Sequence, residues 1–227
     1  MKKLLIILII FFTLLTLIAP LYLSGKQKQI NYLKGFNDGV SFFSSEKYDQ
    51  AIESFEKALA YDSTSRRFFS RISQDASSDA AANPDPDTIR LLLCETLLAK
   101  AYDELFRIKP AEIYLDKAGK VLAAANSSES AILKTNIATA YNVSKLCKTA
   151  KKGEFDKVLK ELLDVEKKAL PTDRDFLIME IRLLIICGKA LKNPNLLREA
   201  RELLWIVTSR SEAPDKRVDQ LWPLLHR

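Results

Sequence analysis

Few residues in this chain could do chemistry, and none is placed where chemistry needs it. Proton transfer near neutral pH falls most often to histidine. The only histidine is His226, one residue from the end of a 227-residue sequence. The three cysteines, Cys94, Cys147 and Cys187, sit inside the apolar stretches LLLCETLL, SKLCKTA and LLIICGKA. An odd number with no CxxC spacing supplies neither a disulfide framework nor a zinc site, so the thiols read as small buried hydrophobes. Asp85 and Asp87 alternate with prolines and no glutamate closes a loop behind them, which removes calcium. One of the two reads instead as a helix N-cap before Thr88. The six glycines are scattered, and none follows a strand pattern that would cradle phosphate. The expectation is a chain with no catalytic residue, no cofactor and no metal, and therefore no enzyme.

The elements come next. Residues 4–23, LLIILIIFFTLLTLIAPLYL, carry no charge, with Lys2 and Lys3 before them and Lys26 and Lys28 behind. Twenty helical residues at about 1.5 Å each cover the roughly 30 Å of a bilayer's hydrocarbon core. A cleaved signal peptide is the alternative, but the core is long for one and Ala19 is followed by Pro20. The expectation is a single-pass membrane anchor over 1–28. Lys2 and Lys3 favour a cytoplasmic N-terminus with the rest of the chain on the opposite side; Lys26, Lys28 and Lys34 support the reverse.

Behind the anchor the sequence is polar, charged and patterned for helix. The whole chain has 35 basic and 29 acidic residues and a net charge of +6, which falls to +4 behind the apolar run once Lys2 and Lys3 are removed. The charges there are interleaved without a basic stripe, which argues against nucleic acid as a partner. Lys151, Lys152, Lys157, Lys160, Lys167 and Lys168 alternate with Glu154, Asp156, Glu161, Asp164 and Glu166, as on a solvated helix face.

One spacing recurs. Gly39, Phe42, Ala51, Phe55 and Ala58 step by 3, 9, 4 and 3; so do Ala99, Tyr102, Ala111, Leu115 and Ala118, and Gly188, Leu191, Ala200, Leu204 and Val207. A small and then a bulky residue share a face of one helix. After a turn, a small, a bulky and a small or short residue share a face of a second. Small residues at the crossing let the two backbones approach. Turn signals fall between them at Ser44-Ser45-Glu46-Lys47, Lys109-Pro110 and Asn193-Pro194-Asn195. Gly35 and Gly39 also spell G-x-x-x-G, which reads as packing within the repeat and not as a membrane dimer motif.

These residues resemble the tetratricopeptide repeat (TPR) family. GVSFFSSEKYDQAIESFEKALAYDS carries the small-then-aromatic pair and the A-I-x-x-F-x-x-A-L signature of a second helix, with Asp38 and Ser63 departing from the pattern. The second copy has Leu115 for the aromatic, and in the last copy Leu191, Leu204 and Val207 are all substitutes. Gly39 to Ala99 spans 60 residues against the family's 34, so an insertion is expected at about 64–87, where SSDAAANPDPD reads as loop. A further hairpin is expected over about 129–169, with Phe155, Val158, Leu162 and Val165 in its second helix. The resemblance implies an all-α fold: a transmembrane helix, then a short solenoid of about four hairpins over 30–213. A capping helix follows over 214–227, with Val218, Leu221 and Trp222 covering the last core edge.

TPR domains bind partner segments in a concave groove lined by first helices. Carried onto this sequence, the resemblance implies a groove of Phe36, Val40, Phe43, Thr96, Lys100, Asp103, Arg182, Ile185, Lys189 and Lys192. It would be aromatic near the anchor and basic at the far end, suited to an acidic or C-terminal-carboxylate segment. The functional expectation is a membrane-anchored protein–protein interaction adaptor. The alternative is a constitutive structural subunit of a membrane or envelope-assembly complex.

Overall fold

The computed structural model describes residues 2–61, 84–125, 130–209 and 215–226, with side chains from residue 23 onward and excluding that of His226. Nine helices and no strand occur among the described residues: α1 (Lys2–Ser44), α2 (Tyr48–Tyr61), α3 (Pro86–Phe106), α4 (Glu112–Ala123), α5 (Ser130–Lys151), α6 (Phe155–Glu166), α7 (Arg174–Ala190), α8 (Pro194–Ser209) and α9 (Lys216–His226). The fold is all-α. The chain forms two compact units, 1–92 and 93–227, with α3 beginning in the first and lying mostly in the second.

In the first unit α1 runs unbroken for 43 residues. The boundary expected near residues 28–30 therefore falls inside a continuous helix, and no linker separates the apolar run from the first hairpin. The side chains of residues 2–22 lie outside the description. Among the described residues no helix is long and apolar enough to cross a membrane. The α1/α2 crossing is built on glycine. A Cβ on Gly35 would lie 3.0 Å from the Ser54 carbonyl oxygen and 3.1 Å from Ala58, and one on Gly39 would lie 2.6 Å from the Phe55 ring. Only hydrogen at these positions lets the backbones approach so closely. Ala51, Phe55 and Ala58 are fully enclosed opposite them. The expected insertion lies largely outside the described residues. Its end is tied down, because the Tyr32 hydroxyl donates to the Pro84 carbonyl at 2.6 Å and the Ile89 N–H donates to the Asp85 carbonyl at 3.2 Å.

The four hairpin turns share one hydrogen-bonding pattern. Glu46, Ile108, Gly153 and Lys192 each adopt positive φ, between 52° and 78°. Each donates its N–H to the carbonyl three residues back, and the next residue donates to the carbonyl five residues before itself. The second set of bonds is Lys47 to Phe42, Lys109 to Glu104, Glu154 to Thr149 and Asn193 to Gly188. This left-handed stop satisfies the last carbonyls of each first helix before the chain reverses.

In the second unit α4 packs on α5, α5 on α6 and α7, α7 on α6 and α8, and α9 on both α7 and α8. That is a stack of hairpins closed by a last helix. Ala111, Leu115, Ala118, Val158, Leu162, Ala200, Leu204 and Val207 are buried, as the spacing requires. Leu191 departs from it and is 37% exposed. The reversal at Lys192, fixed by Pro194 at the start of α8, ends α7 at Ala190 and leaves Leu191 in the turn. The cap is held by Val218, Leu221 and Leu225 in the core, while Trp222 is half-buried. Its polar clamp is Arg217, which donates to Asp175 of α7 at 2.6 Å and to Asp215 at 3.0 Å.

Candidate partner-binding surface

The ten residues expected to line a groove fall in both units. In the first, Phe36, Val40 and Phe43 stand at i, i+4 and i+7 on α1, one face beside the glycine crossing. Val40 is 38% exposed, and Phe36 and Phe43 are half-buried. The Phe43 ring meets Tyr48 of α2 with centroids 6.2 Å apart, so it partly serves the hairpin.

In the second unit two of the expected residues leave the surface. Thr96 and Ile185 are enclosed at 0% and 2% exposure. Residue 185 belongs to a run of α7 from Phe176 to Gly188 that is buried on nearly every side, because α7 is covered by α5, α6, α8 and α9. A first helix so wrapped has little groove face to offer. Lys100 is spoken for: its ammonium lies 3.1 Å from the Glu104 carboxylate and 5.7 Å from the centre of the Tyr114 ring. Asp103 pairs with Arg107 at 3.1 Å. Lys189 and Lys192 are exposed, the second in the turn itself.

Arg182 differs from all of these. Its guanidinium lies 5.3 Å from the centre of the Phe106 ring of α3, and its Nε is enclosed without a hydrogen-bond partner. Burial lowers its pKa, and among the described residues the other electrostatic influence on it is the Cys147 thiol. A half-buried guanidinium on an aromatic face, with no carboxylate beside it among the described residues, retains its capacity to take a planar anion.

The thiols are chemically quiet. Cys94, Cys147 and Cys187 are all buried, and burial pushes them up to about 12, 12 and 11. The thiolate that would be reactive is absent at neutral pH. Among the described residues no group of three or more His, Cys, Asp or Glu could hold a metal ion.

Several polar residues that sequence reasoning passed over are better organised. Glu112 of α4 accepts from Lys148 at 2.6 Å and from the Ser144 hydroxyl of α5, which together hold its carboxyl down near about 2. The Tyr141 hydroxyl of α5 donates to Asp116 of α4. These contacts lock the second and third hairpins together. Asp173 caps α7 by accepting from the Phe176 N–H at 2.9 Å, with the Tyr102 hydroxyl 3.5 Å away. Glu180 is 7% exposed in the middle of α7 and has no hydrogen bond or ion pair among the described residues. A charged residue inside FLIMEIRLLIICGKA is visible in the sequence, and that was the signal available.

The two buried carboxyls set a pH dependence. Burial raises Asp173 to about 6, with Asp175 adding to it, and raises Glu180 to about 7, with Glu166 and Glu199 adding. Between the ordinary carboxyl value and these values the folded chain holds protons that the unfolded chain releases. Stability is therefore full at lower pH and is lost as pH rises through 6 to 7. The melting temperature should fall from pH 5 to pH 8, by an amount equivalent to on the order of 2–3 kcal/mol for Glu180. Glu180→Gln should flatten most of that slope. A melting temperature that does not fall across this range would show that the two carboxyls are ionised as ordinary surface groups.

Compared with known proteins, the chain matches no family model, no curated protein and no solved structure.

Proposed function

We propose that this chain is a membrane-anchored interaction protein of the TPR kind, which takes an acidic segment of a protein partner on the first-helix side of its hairpin stack. Residues 4–23 supply the anchor, with the N-terminus cytoplasmic and the helical hairpins on the opposite side. The continuity of α1 supports a direct, linkerless connection from that anchor to the first hairpin. The observation carrying the reading is Arg182: a guanidinium on an aromatic face, lacking a counter-charge among the described residues, in the first helix of a stacked hairpin. Exposed Lys189 on the same helix supplements it. The role of Lys100 is reduced to positioning, because Glu104 already neutralises it.

Charge reversal tests this. Arg182→Glu together with Lys189→Glu should weaken capture of the partner from cross-linked membranes by about tenfold or more, with helicity unchanged. Raising salt should weaken capture by the unaltered chain in the same direction. Undiminished capture by the doubly reversed chain would rule out the first-helix side as the contact.

A further inference from the structure

Glu180 places an unpaired carboxyl at the seam between two second helices. Seven and eight residues on, and so on the same face of α7, are Cys187 and Gly188. The Cys187 thiol lies 3.9 Å from the Phe155 carbonyl of α6, and Gly188 lies against Leu197 and Leu196 of α8. That face of α7 therefore looks out between α6 and α8. Glu166 of α6 and Glu199 of α8 both act on the Glu180 carboxyl, so their stripes border the same seam. Each stripe mixes its glutamate with leucine. Leu159 and Leu163 precede Glu166 by seven and three residues, and Leu203 follows Glu199 by four. Leu163 is 57% exposed, while Leu159 and Leu203 are half-buried.

We infer that this seam is a second docking site, which receives a lysine or arginine side chain from a protein partner between α6 and α8. An unpaired carboxyl that is 93% withdrawn from solvent resists ionisation until something cationic reaches it. Its oxygens are not among the fully enclosed polar atoms without partners, so the carboxyl keeps some contact with solvent. The leucines suit the aliphatic stem of a long basic side chain, and the Glu180 carboxylate, with Glu166 and Glu199 adding negative potential, suits its head. A metal ion fits less well, because these residues do not form a metal-holding group. The site is independent of the first-helix surface and opposite to it in charge.

The full chain, titrated with the blocked tripeptide amide Leu-Arg-Leu and followed through the carboxyl carbon signal of Glu180, tests the inference. The peptide should bind saturably near about pH 8 and at least about tenfold more weakly near about pH 5.5, where Glu180 is protonated. Leu-Gln-Leu should not bind, and Glu180→Gln should abolish binding by Leu-Arg-Leu while leaving the melting temperature no lower. If Glu180→Gln does not fold, Glu166→Gln with Glu199→Gln carries the test and should weaken binding several-fold. Equal binding of the two peptides, binding indifferent to pH, or a Glu180 signal moved by calcium or magnesium but not by Leu-Arg-Leu would each overturn the proposal.

Discussion

Gly39→Ala should destabilise the first hairpin by about 1–3 kcal/mol, the usual cost of forcing a methyl group into a packed core. The added carbon would sit 2.6 Å from the Phe55 ring, and that ring is fully enclosed, so it has nowhere to turn. Gly35→Ala strikes backbone instead, at the Ser54 carbonyl and the Ala58 nitrogen, and cannot be relieved by any side-chain rotation. Phe55→Leu made together with Gly39→Ala should cost less than the sum of the two single changes, because the smaller side chain vacates the clash. The check is thermal unfolding of all three variants by circular dichroism. Strict additivity would mean that residues 39 and 55 do not share the crossing.

Arg217→Met should cost about 2–4 kcal/mol and loosen α9. Arg217 is the cation common to Asp175 and Asp215, with its side chain only 17% exposed. Those two carboxylates raise its pKa above the ordinary value. Arg174, at 3.8 Å from Asp215, is more exposed and a weaker substitute. Removing Arg217 leaves Asp175 and Asp215 without their main counter-charge, close to the already crowded Asp173. Breaking one side of a partly buried ion cluster costs more than the cluster is worth intact, because the remaining charges stay desolvated. Hydrogen exchange in α9 should rise in the variant while α2 is unaffected. Unchanged protection in α9 would show that Val218, Leu221 and Leu225 hold the cap by themselves.

What was legible in the sequence was the part dictated by helix crossings. Ala51, Ala111 and Ala200 are all enclosed because close approach of two helices admits only a small side chain there, and that requirement leaves a fixed spacing in the chain. The cap was legible for a similar reason, as an amphipathic stretch with Val218 and Leu221 on one face. Turn placement was not. Three of the four left-handed turn positions are occupied by Glu46, Ile108 and Lys192, residue types that give no advance sign of positive φ. The exposure of Leu191 follows from that turn and was invisible to the spacing rule.

The register of the expected groove residues was not legible in the sequence. Carrying a groove pattern onto α7 counted Ile185 as lining, whereas a helix covered by four neighbours buries most of its circumference. Arg182, three positions away, is the residue left at the margin. Glu180 was not legible in the same way, because sequence spacing exposes constellations of titratable groups. A single unpaired carboxyl inside an apolar run belongs to none.

The most direct test of the central claim is site-specific photo-cross-linking in membranes, with the reactive side chain placed in turn at Asp103, Lys189 and Trp205. Asp103 and Lys189 lie on first helices, while Trp205 lies on the second helix α8 and is 65% exposed. The account predicts one cross-linked partner from positions 103 and 189, lost when Arg182 is changed to glutamate. Cross-linking of that partner from position 205 alone, or from all three positions regardless of Arg182, would contradict it.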